Sequence, residues 1–118
     1  MEPLNLAAAL RQVEDYWSPM TVATLNDYDV RLVRVFGEFV RHNHAETDEF
    51  FLVLEGELTI HLDGTDIVLH PGELYVVPKG VYHQPTAASE TAALLIEPRE
   101  VVNTGDAGGP LTAPRREL

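Results

Sequence analysis

The stretch His42-Asn43-His44-Ala45-Glu46-Thr47-Asp48-Glu49 decides how the rest of the chain is read. Two histidines two residues apart on a strand project from one face, because strand side chains alternate. A carboxylate five residues on swings back beside them if 45–48 make a turn. A third imidazole arrives with Gly80-Val81-Tyr82-His83. Three imidazoles and one carboxylate meeting at a point would make a metal site.

Around that stretch the texture is of short strands. Residues 21–25 are β-branched and end in the turn signal Asn26-Asp27, and 30–36 carry Val30, Leu32, Val33, Val35 and Phe36. Residues 39–44 read as a strand after Gly37. The run 50–54 is continuously apolar, as in a strand buried on both faces. Glu55-Gly56, Asp63-Gly64, Pro71-Gly72 and Pro78-Lys79-Gly80 then mark turns between strands at 57–62, 67–70 and 73–77, and 91–97 is the last clear strand. Seven or eight short strands with such connections exclude helical crossovers and point to an all-β, antiparallel jelly-roll barrel.

Two flanks differ from this pattern. Leu6, Leu10, Val13 and Trp17 form one helical stripe, capped by Asn5 and ended by Ser18-Pro19, so one short helix is expected over 6–16. After Pro98 the composition turns to Gly, Thr and Pro, most of all over 103–114. The expected organisation is an N-terminal helical segment (1–20), a barrel (21–98) and a C-terminal arm or flexible tail (99–118).

Composition narrows the function classes. The net charge of -11 should repel phosphate backbones and anionic lipid, so neither nucleic acid nor membrane is an expected partner. No run approaches the length of a spanning helix, and Met1-Glu2-Pro3-Leu4 lacks a basic leader. A cytoplasmic location is the expectation. With no cysteine, thiolate ligands, disulfides and cysteine nucleophiles are out.

Gly37, His42, His44, Glu49 and Gly56 spell Gly-x4-His-x-His-x4-Glu-x6-Gly, and Gly72, Pro78, Gly80 and His83 spell Gly-x5-Pro-x-Gly-x2-His. Together they resemble the two signature motifs of the cupin superfamily, in its small single-domain form often described as mannose-6-phosphate-isomerase-like. Two departures are visible: the first gap is four residues where five is usual, and Ala87 stands where Asn is common. Neither falls on a ligand position. The resemblance implies a double-stranded β-helix (jelly-roll) barrel with His42, His44, Glu49 and His83 as metal ligands.

Donor chemistry agrees with that assignment. Imidazole suits Zn, Cu, Fe and Ni, and the carboxylate adds a hard anionic ligand. One divalent ion is expected, among Zn, Fe, Mn and Ni. Four ligands on an ion that accepts six leave two positions for water, dioxygen or a chelating substrate, as in a reaction centre.

Alternation also marks secondary candidates. Val40, Phe51 and Val53 share phase with the ligands and should line an apolar pocket. His61 alternates with Thr59 and is a weak acid–base candidate if it points inward; His70 at its turn is expected to face solvent. Tyr82 could hydrogen-bond a ligand at the pocket mouth, Asp48 could orient an imidazole, and Arg41 and Asn43 should face away. The single lysine, Lys79, cannot by itself build a phosphate site. Phe50, Leu52 and Leu54 should form an outward apolar face, covered by the helix or by a second subunit of a homodimer.

The expected function is a metal-dependent enzyme acting on a small oxygen-bearing molecule, isomerase-like or dioxygenase-like. The alternatives are a non-enzymatic module that binds or senses a small molecule with a metal in its barrel, and a metal that only pins the fold.

Overall fold

The computed structural model describes residues 2–118. In chain order the elements are α1 (Leu6–Leu10), β1 (Met20–Leu25), β2 (Tyr28–Glu38), β3 (Glu49–Glu55), β4 (Leu58–Leu62), β5 (Thr65–Leu69), β6 (Leu74–Val77), β7 (Gln84–Pro98) and β8 (Arg116–Glu117). The architecture is the expected jelly-roll type, with an order of β5-β4-β7-β2-β1-β8 and a branch in which β3 joins β7 to β6. No helix among the described residues is long and apolar enough to cross a membrane.

β7 is the strand on which the fold turns. Its C-terminal half pairs β2 on one side (Leu32↔Leu94) and β3 on the other (Phe51↔Leu95). Its N-terminal half keeps β2 and exchanges β3 for β4 (Ile60↔Pro85). Both faces of the C-terminal half are covered, which is why Thr91-Ala92-Ala93-Leu94-Leu95 reads without polar alternation. Ala93 and Leu95 face an interior cluster with Trp17, Val35, Phe39, Phe51, Val53, Leu58 and Ile60. Ala92 and Leu94 face a second cluster with Ala9, Leu10, Val13 and Leu32 under α1. Gly56 sits where β7 changes partners, at φ 80°, and a Cβ there would collide with the Thr91 hydroxyl and the Glu90 carbonyl.

Three sequence expectations change. The helix ends at Leu10 instead of continuing to 16. Asn5 caps it by accepting from the Ala8 N–H at 2.9 Å, but the Arg34 guanidinium takes the carbonyls of Leu10 (2.9 Å) and Val13 (2.6 Å). That side chain satisfies carbonyls at the helix exit, and the chain peels away so that Tyr16 bridges Arg34 and Trp17 adopts φ 58°. Residues 39–44 form no continuous strand. They run beside residues 83–85 through a few bonds, of which the reciprocal pair between His42 and His83 (3.0 and 2.9 Å) is central. Finally, β7 begins at Gln84, well before 91, because its first half is polar and carries no apolar signature.

Residues 99–118 run back along the barrel. Asn103 and Thr104 are buried, and β8 lies parallel to β1. A buried ion network fastens this return: Asp29, fully buried, accepts from Arg31 (3.2 Å), Thr21 (3.0 Å) and Arg115 (2.7 Å). Arg31 also donates to Glu97 (2.8 Å) and to the carbonyls of Arg99 and Val101.

Candidate metal centre

His42 and His83 face each other as a hydrogen-bonded antiparallel pair, which sets their rings side by side with centroids 4.4 Å apart. His44 follows two residues on, its ring edge-on to His42 at 5.0 Å. Glu49 opens β3 and points inward, opposite Val77 of β6. Each of the four offers one donor atom, and these atoms all lie within 4.8 Å of one another, every residue buried. The loop 45–48 thus makes the turn that the spacing requires. Asp48 helps hold it from outside, accepting from the Lys79 N–H at 2.9 Å, and touches no imidazole.

The ring nitrogens are sorted by the backbone. His42 Nδ1 lies 2.9 Å from the Val40 carbonyl and His83 Nδ1 lies 3.0 Å from the Val81 carbonyl, in both cases two residues back. A carbonyl only accepts, so both Nδ1 atoms carry hydrogen and both Nε2 atoms are turned to the centre. His83 Nε2 meets Glu49 Oε1 at 2.8 Å. His44 Nε2 is 3.4 Å from the same oxygen but outside hydrogen-bond geometry, and it and His42 Nε2 are buried with no partner. Buried polar atoms are rarely left this way, because an unmade bond costs about 1–3 kcal/mol. Two orphaned nitrogens converging on a carboxylate fit a cation.

Electrostatics support the same reading. Burial pushes the His42 imidazole down to about 4, so its Nε2 carries a free lone pair at neutral pH. Burial works against ionisation of Glu49, but the close approach of the His44 and His83 imidazoles outweighs it and holds the carboxyl well below its usual range. For His83 burial lowers the value while the Glu49 hydrogen bond and charge raise it; the raise wins. The centre therefore presents one carboxylate, and a cation would take the place of the proton between His83 and Glu49.

Beside the centre is a cavity of about 40 Å³, lined by His42, Glu49, Phe51, Leu95, Trp17 and Phe39 among others. That is room for about three waters, at the roughly 10–15 Å³ that each needs. Trp17 stacks on Phe39 at 4.8 Å and Phe39 meets His42 edge-on at 5.4 Å, so the wall next to the imidazoles is aromatic. Of the expected pocket residues Phe51 lines this space, while Val53 is buried in the surrounding core and Val40 packs against it.

His61 does not join the centre. Leu58 and Ile60 point inward, so the two-residue period turns Thr59 and His61 to the outer face. There His61 meets Asp66 and Thr86, each at 2.8 Å, on an open sheet surface. His70 is exposed beside Glu57 and Glu73. Tyr82 is exposed, is not among the residues lining the cavity, and donates to Asp106 at 2.6 Å. Arg41 is exposed as expected, with its guanidinium over the Tyr82 ring, whereas Asn43 is buried against Asp106.

Sequence reasoning missed Trp17, Glu97 and Asn103, which also line the cavity. The charge of Glu97 within an otherwise apolar strand was the one signal available for it. Burial first, then the nearby Glu49 charge, pushes its carboxyl well above the usual range, against the pull of Arg31.

Comparison with known proteins follows the same line. The cupin domain family matches residues 33–99. The crystal structure of a cupin-2 domain containing protein from Shewanella frigidimarina is 47% identical, superposes with a TM-score of 0.80, and covers 81% of this chain and 94% of that one. The YdbB protein of Bacillus subtilis is 34% identical across 81% of this chain and 86% of its own length. The 3-hydroxyanthranilate 3,4-dioxygenase of Xanthomonas campestris pv. campestris (strain B100) is 29% identical across 80% of this chain, which spans 58% of that enzyme.

Proposed function

The chain belongs to the cupin family, and on that premise we propose that His42, His44, Glu49 and His83 hold one divalent metal ion in a site for oxygen-dependent chemistry on a small molecule. The observation that carries the reading is the pair of buried, unpartnered Nε2 atoms of His42 and His44. A bound metal would supply Lewis acidity and, as Fe(II), a partner for dioxygen.

The chain's own groups do the rest. Glu49 contributes the negative charge, and the Val40 and Val81 carbonyls fix the imidazole orientations. Trp17, Phe39, Phe51 and Leu95 make the reaction space apolar and narrow, which excludes bulk water and limits the ligand to a small body.

Oxygenation is favoured over sugar-phosphate isomerisation for a specific reason. No lysine or arginine is among the residues lining the cavity, and Lys79 belongs to a separate groove with Glu46, Thr47 and Asp48. A phosphate would find no lysine or arginine there to pair with. The 29% identity to 3-hydroxyanthranilate 3,4-dioxygenase points the same way.

The test is oxygen uptake by the Fe(II)-loaded full chain against a panel of small hydroxylated aromatic acids that includes 3-hydroxyanthranilate. Uptake above the metal-free protein, lost in His83→Ala, supports the reading. A loaded protein that consumes no oxygen with any of them, yet binds one of them, makes it a binding module instead.

We also propose a homodimer. Phe50 and Leu52 pair across to Val76 and Leu74, and this face extends past the cover provided by α1: Leu74 is 56% and Val76 42% exposed. Sedimentation showing only monomer at micromolar concentration would remove it.

A further inference from the structure

Beyond the four ligands, one residue touches both halves of the ligand set from outside. Asp106 Oδ1 accepts the backbone N–H of Asn43 at 2.9 Å, and its Oδ2 accepts Asn43 Nδ2 at 3.0 Å and the Tyr82 hydroxyl at 2.6 Å. Its own N–H donates to the Asn43 carbonyl at 3.2 Å. Asn43 lies between His42 and His44, and Tyr82 immediately precedes His83. A single carboxylate therefore spans the two segments that deliver all three imidazoles.

The residue before it adds a steric contact. Gly105 adopts φ 53°, and a Cβ there would collide with the Asn43 carbonyl and come within 3.0 Å of His42 Cδ2, the ring carbon bonded to Nε2. Only a glycine lets the backbone back the His42 ring so closely. The position of this turn is itself fixed. Asn103 donates to the Trp17 and Leu111 carbonyls at 3.1 and 2.9 Å and accepts from the Ala113 N–H at 3.0 Å. Thr104 meets Thr112 at 2.7 Å.

On these contacts, and resting on the metal reading above, we infer that Asp106 is a positioning residue of the metal centre and that the 103–113 segment is a built part of the site. Asp106 holds the spacing between the His42/His44 pair and His83, and Gly105, lacking a Cβ, lets this turn pack against Asn43 while leaving room for the His42 ring. The Arg41 guanidinium, 4.4 Å from the Tyr82 ring centre, steadies the second arm of the clamp from its outer side. Groups that orient ligands from the next layer typically govern metal affinity by 10–100-fold.

The experiment compares wild type, Asp106→Ala, Asp106→Asn and Tyr82→Phe as full chains. Zinc-loaded protein is challenged with a chelator to read the rate of metal loss. Cobalt(II)-loaded protein reads ligand geometry through its visible absorption, and the melting temperature of metal-free protein controls for folding. Asp106→Ala should lose zinc about ten- to a hundredfold faster with altered cobalt bands, Tyr82→Phe should show a smaller change, and Asp106→Asn should fall between. Wild-type metal loss and unchanged cobalt bands in Asp106→Ala would overturn the inference, even if its metal-free melting temperature falls, because a purely structural strap predicts that pattern. If Asp106→Ala does not fold, Tyr82→Phe decides by the same two readouts. A wild-type chain that binds neither zinc nor cobalt sinks the metal reading and this inference together; a wild type that binds both, with variants that match it, sinks this inference alone.

Discussion

Two buried polar clusters share this barrel, and they are solved in opposite ways. Around Asp29 every ion faces a counter-ion: Arg31 and Arg115 on Asp29, and Arg31 again on Glu97. Around Glu49 one carboxylate faces three imidazoles, and two of the inward nitrogens, those of His42 and His44, have no hydrogen-bond partner. The first cluster is charge-matched by the protein itself and fastens the returning C-terminal segment to β1 and β2. The second is incomplete without something positive. A buried charge alone does not mark a site, and neither does an unpartnered polar atom, since Arg31 Nε and Glu97 Oε2 also lack one; the distinction is that four metal-donor atoms, three imidazole and one carboxylate, gather within 4.8 Å of one another.

The comparison can be broken first at the paired cluster. Asp29→Ala takes the shared carboxylate from Arg31 and Arg115 and should cost about 3–5 kcal/mol in denaturant unfolding, while leaving the metal content unchanged. The pH dependence follows the same residue. The Arg115 hydrogen bond, with Thr21 and Arg31, outweighs burial and holds the Asp29 carboxyl well below its ordinary value. Its stabilisation is therefore complete above about pH 4, the ordinary carboxylate range, and is lost as the pH falls through the depressed folded value. Acid unfolding curves should show this loss in wild type and lack it in Asp29→Asn.

The second cluster should respond to metal instead. Saturation at a hundred times the dissociation constant adds about 2.7 kcal/mol, so chelation should lower the melting temperature by roughly 10 °C. His83→Ala should abolish that difference. The smallest effect belongs to the third histidine group, on the outer face. His61→Ala should change stability by no more than about 1 kcal/mol and leave metal content and any oxygen uptake untouched, as expected of an exposed pair.

The clustering of His42, His44, Glu49 and His83 was legible because its information is local: two spacings and two turns place four side chains. Seven of the eight described strands were legible for the same reason, since Gly56, Gly64 and Gly72 punctuate apolar runs; the two-residue β8 was not. His61 shows where local reading slips. Alternation fixes which residues share a face but not which face is inside, and Leu58 and Ile60 decide the phase. The C-terminal segment was illegible because its contacts are remote. Asn103 finds Trp17 and Arg115 finds Asp29 across 86 residues each, and a Gly- and Pro-rich composition carries no trace of either partner. The early end of α1 has the same origin, in an arginine 24 residues beyond Leu10.

Metal content of the full chain, purified without a metal-affinity tag and then offered Zn, Fe(II), Mn and Ni in turn, tests the central claim most directly. The account expects about one bound ion per chain with at least one of these metals, falling to background in His42→Ala and in His83→Ala. A folded wild-type chain that retains none of the four, or variants that retain as much as wild type, would contradict it.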